Sequence, residues 1–126
     1  MEKKITIKSG PLKFFMQYLT LINPMYKLAP KEIEVLAYLL YLDYQYESIP
    51  VEARNKIIFD YDSKVLISNE FNISLAIVNN VFTSLRKKTF NKQSFILGKK
   101  LNFNVPFLPK INKDKKLNLI FEFIIQ

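Results

Sequence analysis

The sequence predicts a mainly helical α+β fold, and three features of its 126 residues carry that expectation. Ile33 to Tyr46 is apolar almost all the way round, the pattern of a helix covered on two sides. Ile67 to Lys88 repeats apolar residues at helical spacing on either side of Asn72. Two short apolar segments then flank Gly98-Lys99-Lys100, which reads as a β-hairpin. Hydrophobic residues make up 49% of the chain and aromatics 14%, enough for a real core and too much for disorder.

The elements follow in order. Lys4 to Lys8 alternates and reads as a short strand before Gly10-Pro11. Leu12, Phe15, Met16, Leu19 and Ile22 mark a helix over 12–22, expected to stop before Asn23-Pro24, because proline disfavours a helical residue in front of it. Pro30 suits the first position of the next helix, and Glu32 and Glu34 suit the positive end of its dipole. This central helix should hold the 12–22 helix on one face and the 67–88 pair on the other. Tyr38, Tyr41, Tyr44 and Tyr46 are expected in the core and at the helix edge, because aromatic side chains mostly bury area.

Pro50 opens a further helix to Ile58, and Asp62 or Ser63 is expected to cap the one after it. Within 67–88, Asn72 sits at a turn and Ser74 where a second helix would begin, the register of a helix-turn-helix. Ser94 to Leu97 and Leu101 to Val105 are the hairpin arms, ended by Pro106 and Pro109. The last segment alternates, with Leu117, Leu119, Phe121, Phe123 and Ile125 on one face. Such a strand wants a partner, either Ile5–Ile7 or the edge of another subunit. No internal repeat or flexible linker interrupts the chain. It divides into a 1–27 extension, a central unit at 28–110 and a terminal strand at 111–126.

Charge is unevenly placed. Residues 1–63 hold eight Lys/Arg and eight Asp/Glu, whereas 64–126 hold eleven Lys/Arg against Glu70, Asp114 and Glu122. The whole net charge of +8 therefore falls in the half that carries the helix-turn-helix pattern, which favours a polyanionic partner. Chains rich in Lys, Asn, Ile, Phe and Tyr are also what AT-rich genomes encode, so the position of the lysines says more than their number.

The 67–88 run resembles the helix-turn-helix of winged-helix transcription regulators without a gap. Their pattern is roughly I-A-x-x-L-G-I-S-x-x-T-V-x-x-x-L-x-x-L-R-K-K. Here those positions read Ile67, Ser68, Phe71, Asn72, Ile73, Ser74, Ile77, Val78, Phe82, Leu85, Arg86, Lys87 and Lys88. Asn72 replaces the usual turn glycine. Leu28-Ala29-Pro30-Lys31-Glu32-Ile33-Glu34-Val35-Leu36 is similar to the L-[ST]-P-[KR]-E-x-E-V-L start of many such regulators, with Ala29 losing the capping hydroxyl. The chain resembles the small winged-helix proteins of tailed phages over about residues 28–108.

That resemblance implies a winged helix-turn-helix with an N-terminal helical extension and a C-terminal strand. It also implies that Val78, Val81, Phe82 and Leu85 face the core, while Leu75, Ala76, Ile77, Asn79, Asn80, Thr83, Arg86 and Lys87 lie on or near the outward face. The implied partner is double-stranded DNA, with helix 74–88 in the major groove and the hairpin on the backbone. Leu75, Ala76, Asn79 and Asn80 would then meet bases, the two amides suiting the N6/N7 edge of adenine. Ser74, Thr83, Arg86, Lys87, Lys88, Lys99 and Lys100 would meet the backbone.

Leu75-Ala76-Ile77 departs from the polar residues that usually open a recognition helix, and so keeps a second reading open. There the same fold is a protein-interaction or virion adaptor, using Leu75–Ile77 and the 117–125 strand for a protein partner or self-association.

Enzyme chemistry is not expected. Without histidine or cysteine the usual general base, thiol nucleophile and transition-metal ligands are missing. Gly10 and Gly98 fit no phosphate cradle, and Asp60 and Asp62 read as capping residues rather than Mg²⁺ ligands. No cofactor, metal or small-molecule substrate is implied. The longest uncharged apolar run, Val35 to Leu42, is too short to cross a bilayer, and the start of the chain carries no signal-peptide core. With cysteine absent, the expected setting is cytoplasmic.

Overall fold

A computed structural model of the protein describes residues 10–111. Five helices come first: α1 (Pro11–Tyr26), α2 (Pro30–Gln45), α3 (Val51–Ile58), α4 (Tyr61–Phe71) and α5 (Leu75–Lys87). Two antiparallel hairpins follow, β1 (Thr89–Phe90) with β2 (Gln93–Ser94) and β3 (Ile96–Leu97) with β4 (Lys100–Leu101). The mainly helical α+β expectation is met. The expected strands at Lys4–Lys8 and 117–125 lie outside the described residues.

The apolar pattern of α2 has the predicted consequence. Ile33, Val35, Leu36, Ala37, Tyr38, Leu39, Leu40 and Leu42 are all buried, which leaves only a narrow stripe at Lys31, Glu34, Tyr41 and Gln45 to meet water. α1, α3, α4 and α5 cover it, and α4 and α5 also pack on each other. Truncating a side chain such as Leu39 to alanine here costs about 2–5 kcal/mol, because the lost contacts leave a cavity. Tyr38 is buried, and Tyr41, Tyr44 and Tyr46 pack partly buried against the core, as expected of them.

One polar device ties α3 to α2. Arg54 donates to Asp43 Oδ1 at 3.1 Å and to the Glu47 and Ile49 carbonyls, each at 2.9 Å from Nη2. The guanidinium is buried, and an acceptor for each of its three nitrogens is what makes that burial tolerable.

Three expectations are corrected. α1 runs a full turn past Asn23 with Pro24 inside it. The proline forfeits one helical hydrogen bond, but Asn23 holds the exit loop through both side-chain atoms, accepting from Leu28 N–H and donating to Leu28 O. The extra turn also buries Tyr26 against Phe95, with ring centroids 4.9 Å apart. The cap of α4 is Asp60, which accepts from Ser63 N–H at 3.0 Å, rather than Asp62 or Ser63. Two hairpins replace one. Asn91 and Lys92 both take positive φ in the first, as a type I′ turn requires. In the second, Gly98 alone does so (φ 61). That second hairpin ends at Leu101 because Asn102 folds back: its N–H bonds Phe95 O, and its amide bonds Ser94 O and Gln93 Oε1, clasping both hairpins.

Candidate nucleic-acid interface

The α4–α5 pair is built by its turn. Asn72 ends α4 in the left-handed region at φ 51, ψ 51, and its N–H bonds Ser68 O. Asparagine tolerates that conformation better than other side chains except glycine. Ser74 then caps α5, its hydroxyl accepting from Ile77 N–H at 3.2 Å. The two axes are bent by 108° across the break.

The register of α5 buries the predicted core positions and exposes part of the predicted outward set. Val78, Val81, Phe82 and Leu85 are buried. Ala76, Asn79, Asn80, Thr83 and Lys87 are exposed, and their spacing of three and four places them in one stripe along the helix. Leu75 and Ile77 are half-buried, and Ile77 packs on the core. Among the described residues the large apolar side chains left exposed are Leu21, Val51, Tyr61, Leu66, Leu97 and Phe107, none of them on α5. The apolar opening of this helix is therefore less bare than Leu75-Ala76-Ile77 looks in sequence.

The expected backbone-contact residues divide in two. Lys87, Lys99 and Lys100 are exposed. The Thr83 hydroxyl is exposed while donating to Asn79 O at 3.1 Å, and the exposed Ser74 is occupied as the cap. Arg86 donates from Nε to Gly98 O at 2.8 Å and lies over the Phe82 ring, 6.0 Å from its centroid. It fastens the β3–β4 turn to α5.

Lys88 is engaged more deeply. Its Nζ is 2.5 Å from Oε1 of Glu32, a carboxylate only 4% exposed. The same carboxylate accepts from Ala29 N–H at 2.7 Å and from the Ser84 hydroxyl. Burial pushes the Glu32 carboxyl up, but the hydrogen bonds from Lys88, Ser84 and Ala29, with the Lys88 charge, outweigh it and hold the group below its ordinary value. Its place in the first turn of α2 marks Glu32 in sequence only as a dipole partner. Its role as the ionic anchor of α5 joins residues 56 positions apart, so no local pattern announces it.

No local pattern in the sequence singles out Lys64 or Lys56. Lys64 Nζ lies 5.3 Å from the Phe82 ring centroid. Lys56 lines a cleft of about 510 Å³ with Asn55 and Glu52 from α3 and Lys99 and Lys100 from the hairpin. Between Glu70 and Asp114 the sequence holds no carboxylate, while Arg86, Lys87, Lys88, Lys92, Lys99, Lys100, Lys110 and Lys113 fall in that interval.

Among the described residues no group of three or more His, Cys, Asp or Glu could hold a metal ion, and no buried side-chain polar atom lacks a partner. Among the same residues no single helix is long and apolar enough to cross a membrane. Comparison with protein-family models, with curated proteins and with solved structures finds no match to this chain.

Proposed function

We propose that the protein is a non-enzymatic, DNA-binding regulator of winged-helix type, with α5 in the major groove and the β3–β4 hairpin against the backbone. The observation that carries this reading is the exposed stripe Ala76, Asn79, Asn80, Thr83 and Lys87, set in a stretch of chain without a carboxylate. A helix fits the major groove of B-DNA, and amide side chains in its first turns reach base edges. Cations at its C-terminal end and on the adjacent hairpin neutralise phosphates.

The alternative, a protein adaptor working through Leu75–Ile77, draws less support. Ile77 packs partly buried against the core, and among the described residues the large exposed apolar side chains lie outside α5.

The test is duplex binding as a function of salt, for the wild type and for a Lys87→Glu/Lys99→Glu/Lys100→Glu variant. Each phosphate contact contributes about 0.9 to the slope of log K against log salt, so the variant should flatten it by about 2.7. Absence of salt-dependent binding by the wild type at low salt would sink the reading.

A further inference from the structure

We infer that the cleft between α3 and the β3–β4 hairpin is a second phosphodiester site, so that a nucleic-acid strand leaving α5 crosses the hairpin and reaches Lys56. This extends, and rests on, the reading of α5 as the groove-facing helix.

Glu52, Asn55 and Lys56 are spaced to share one face of α3, and that face lines the cleft opposite Lys99 and Lys100. Continuity with α5 is direct. Arg86 bonds the Gly98 carbonyl at the hairpin turn, and Phe59, which also lines the cleft, packs edge-on against Phe82 of α5 with centroids 5.6 Å apart. A basic path therefore runs from Lys87 over Arg86 and the hairpin turn to Lys56.

The lysines of the cleft belong to no ion pair among the described residues. Among the described residues the ion pairs are Arg54–Asp43 and Lys88–Glu32. Lys56, Lys99 and Lys100 hold no carboxylate, although Glu52 and Asp60 line the same space. Asp60 is committed to capping α4. Three ammonium groups against two carboxylates leave an excess of one positive charge, which matches the single negative charge of a phosphodiester. Glu52, exposed in the first turn of α3, opposes such a ligand and limits its affinity.

Two exposed residues of one cleft should thus act in opposite directions. With duplex DNA longer than the reach of α5, Lys56→Gln should weaken binding several-fold and flatten the salt slope by about 0.9. Glu52→Gln should strengthen binding. Lys13→Gln on α1, which carries the same charge change away from the cleft, should leave the slope unaltered. If the wild type binds and neither cleft variant differs from it, the inference fails while the DNA reading stands. Equal flattening by Lys13→Gln and Lys56→Gln would reduce the effect to net charge and also overturn it. If the wild type shows no salt-dependent binding, the DNA reading fails and the cleft with it.

Discussion

Lys88 Nζ stands 2.5 Å from Glu32 Oε1, joining the C-terminal cap of α5 to the first turn of α2. The carboxylate is buried and the lysine side chain is 40% exposed, so the two ends of the pair carry unequal weight. Glu32 also accepts from the Ala29 N–H and the Ser84 hydroxyl, which lose their partner if it is truncated.

Glu32→Ala should therefore destabilise by about 2–4 kcal/mol, and Lys88→Met by about 1 kcal/mol because solvent screens the exposed end. Urea unfolding midpoints of the two variants measure the difference. Equal losses would show that the carboxylate is not the anchor.

The same pair sets an acid limit. Because folding lowers the Glu32 value, its contribution to stability is complete above the unfolded carboxylate value and is lost as pH falls through the lowered folded value. Glu32→Gln should flatten this part of the stability curve below about pH 4.5. Unfolding free energies from pH 3 to 7 test the sign. An unchanged acid limb would place the titrating group elsewhere.

Asn72 holds positive φ where α4 ends. Asn72→Gly should stay within about 0.5 kcal/mol of the wild type, whereas Asn72→Ile should lose about 1–2 kcal/mol, because a branched side chain clashes in the left-handed region. Thermal unfolding distinguishes them.

Arg86 bridges α5 to the Gly98 carbonyl. Arg86→Ala should loosen the hairpin more than the helices, with amide exchange at Leu97 to Leu101 rising about fivefold for a bond worth about 1 kcal/mol. Uniform acceleration across the domain would indicate global destabilisation instead.

Asn79 and Asn80 are exposed on the stripe that would face bases. Asn79→Ala and Asn80→Ala should each remove about 1–3 kcal/mol of preference at one adenine while leaving affinity for random duplex nearly unchanged. Lys87→Gln should weaken all sequences alike. Parallel losses on selected and random DNA in the asparagine variants would remove them from base reading.

The sequence by itself determined what depends on neighbours in the chain. Apolar spacing located the α2 core helix and the buried side of α5, and the chemistry of Asn72, Ser74 and Gly98 located the turns. Such features are legible because dihedral preference and helical periodicity act over a few residues. Tertiary structure decided the rest. It carried α1 through Pro24 because Tyr26 had rings to pack on, and it bent the chain after Leu101 because Asn102 could satisfy two hairpins at once. It turned Lys88 inward to a buried carboxylate, left Lys87 outward, and brought Lys56 of α3 beside Lys99 and Lys100. These choices are made by burial and charge balance between residues far apart in the chain, where spacing along the sequence carries no information.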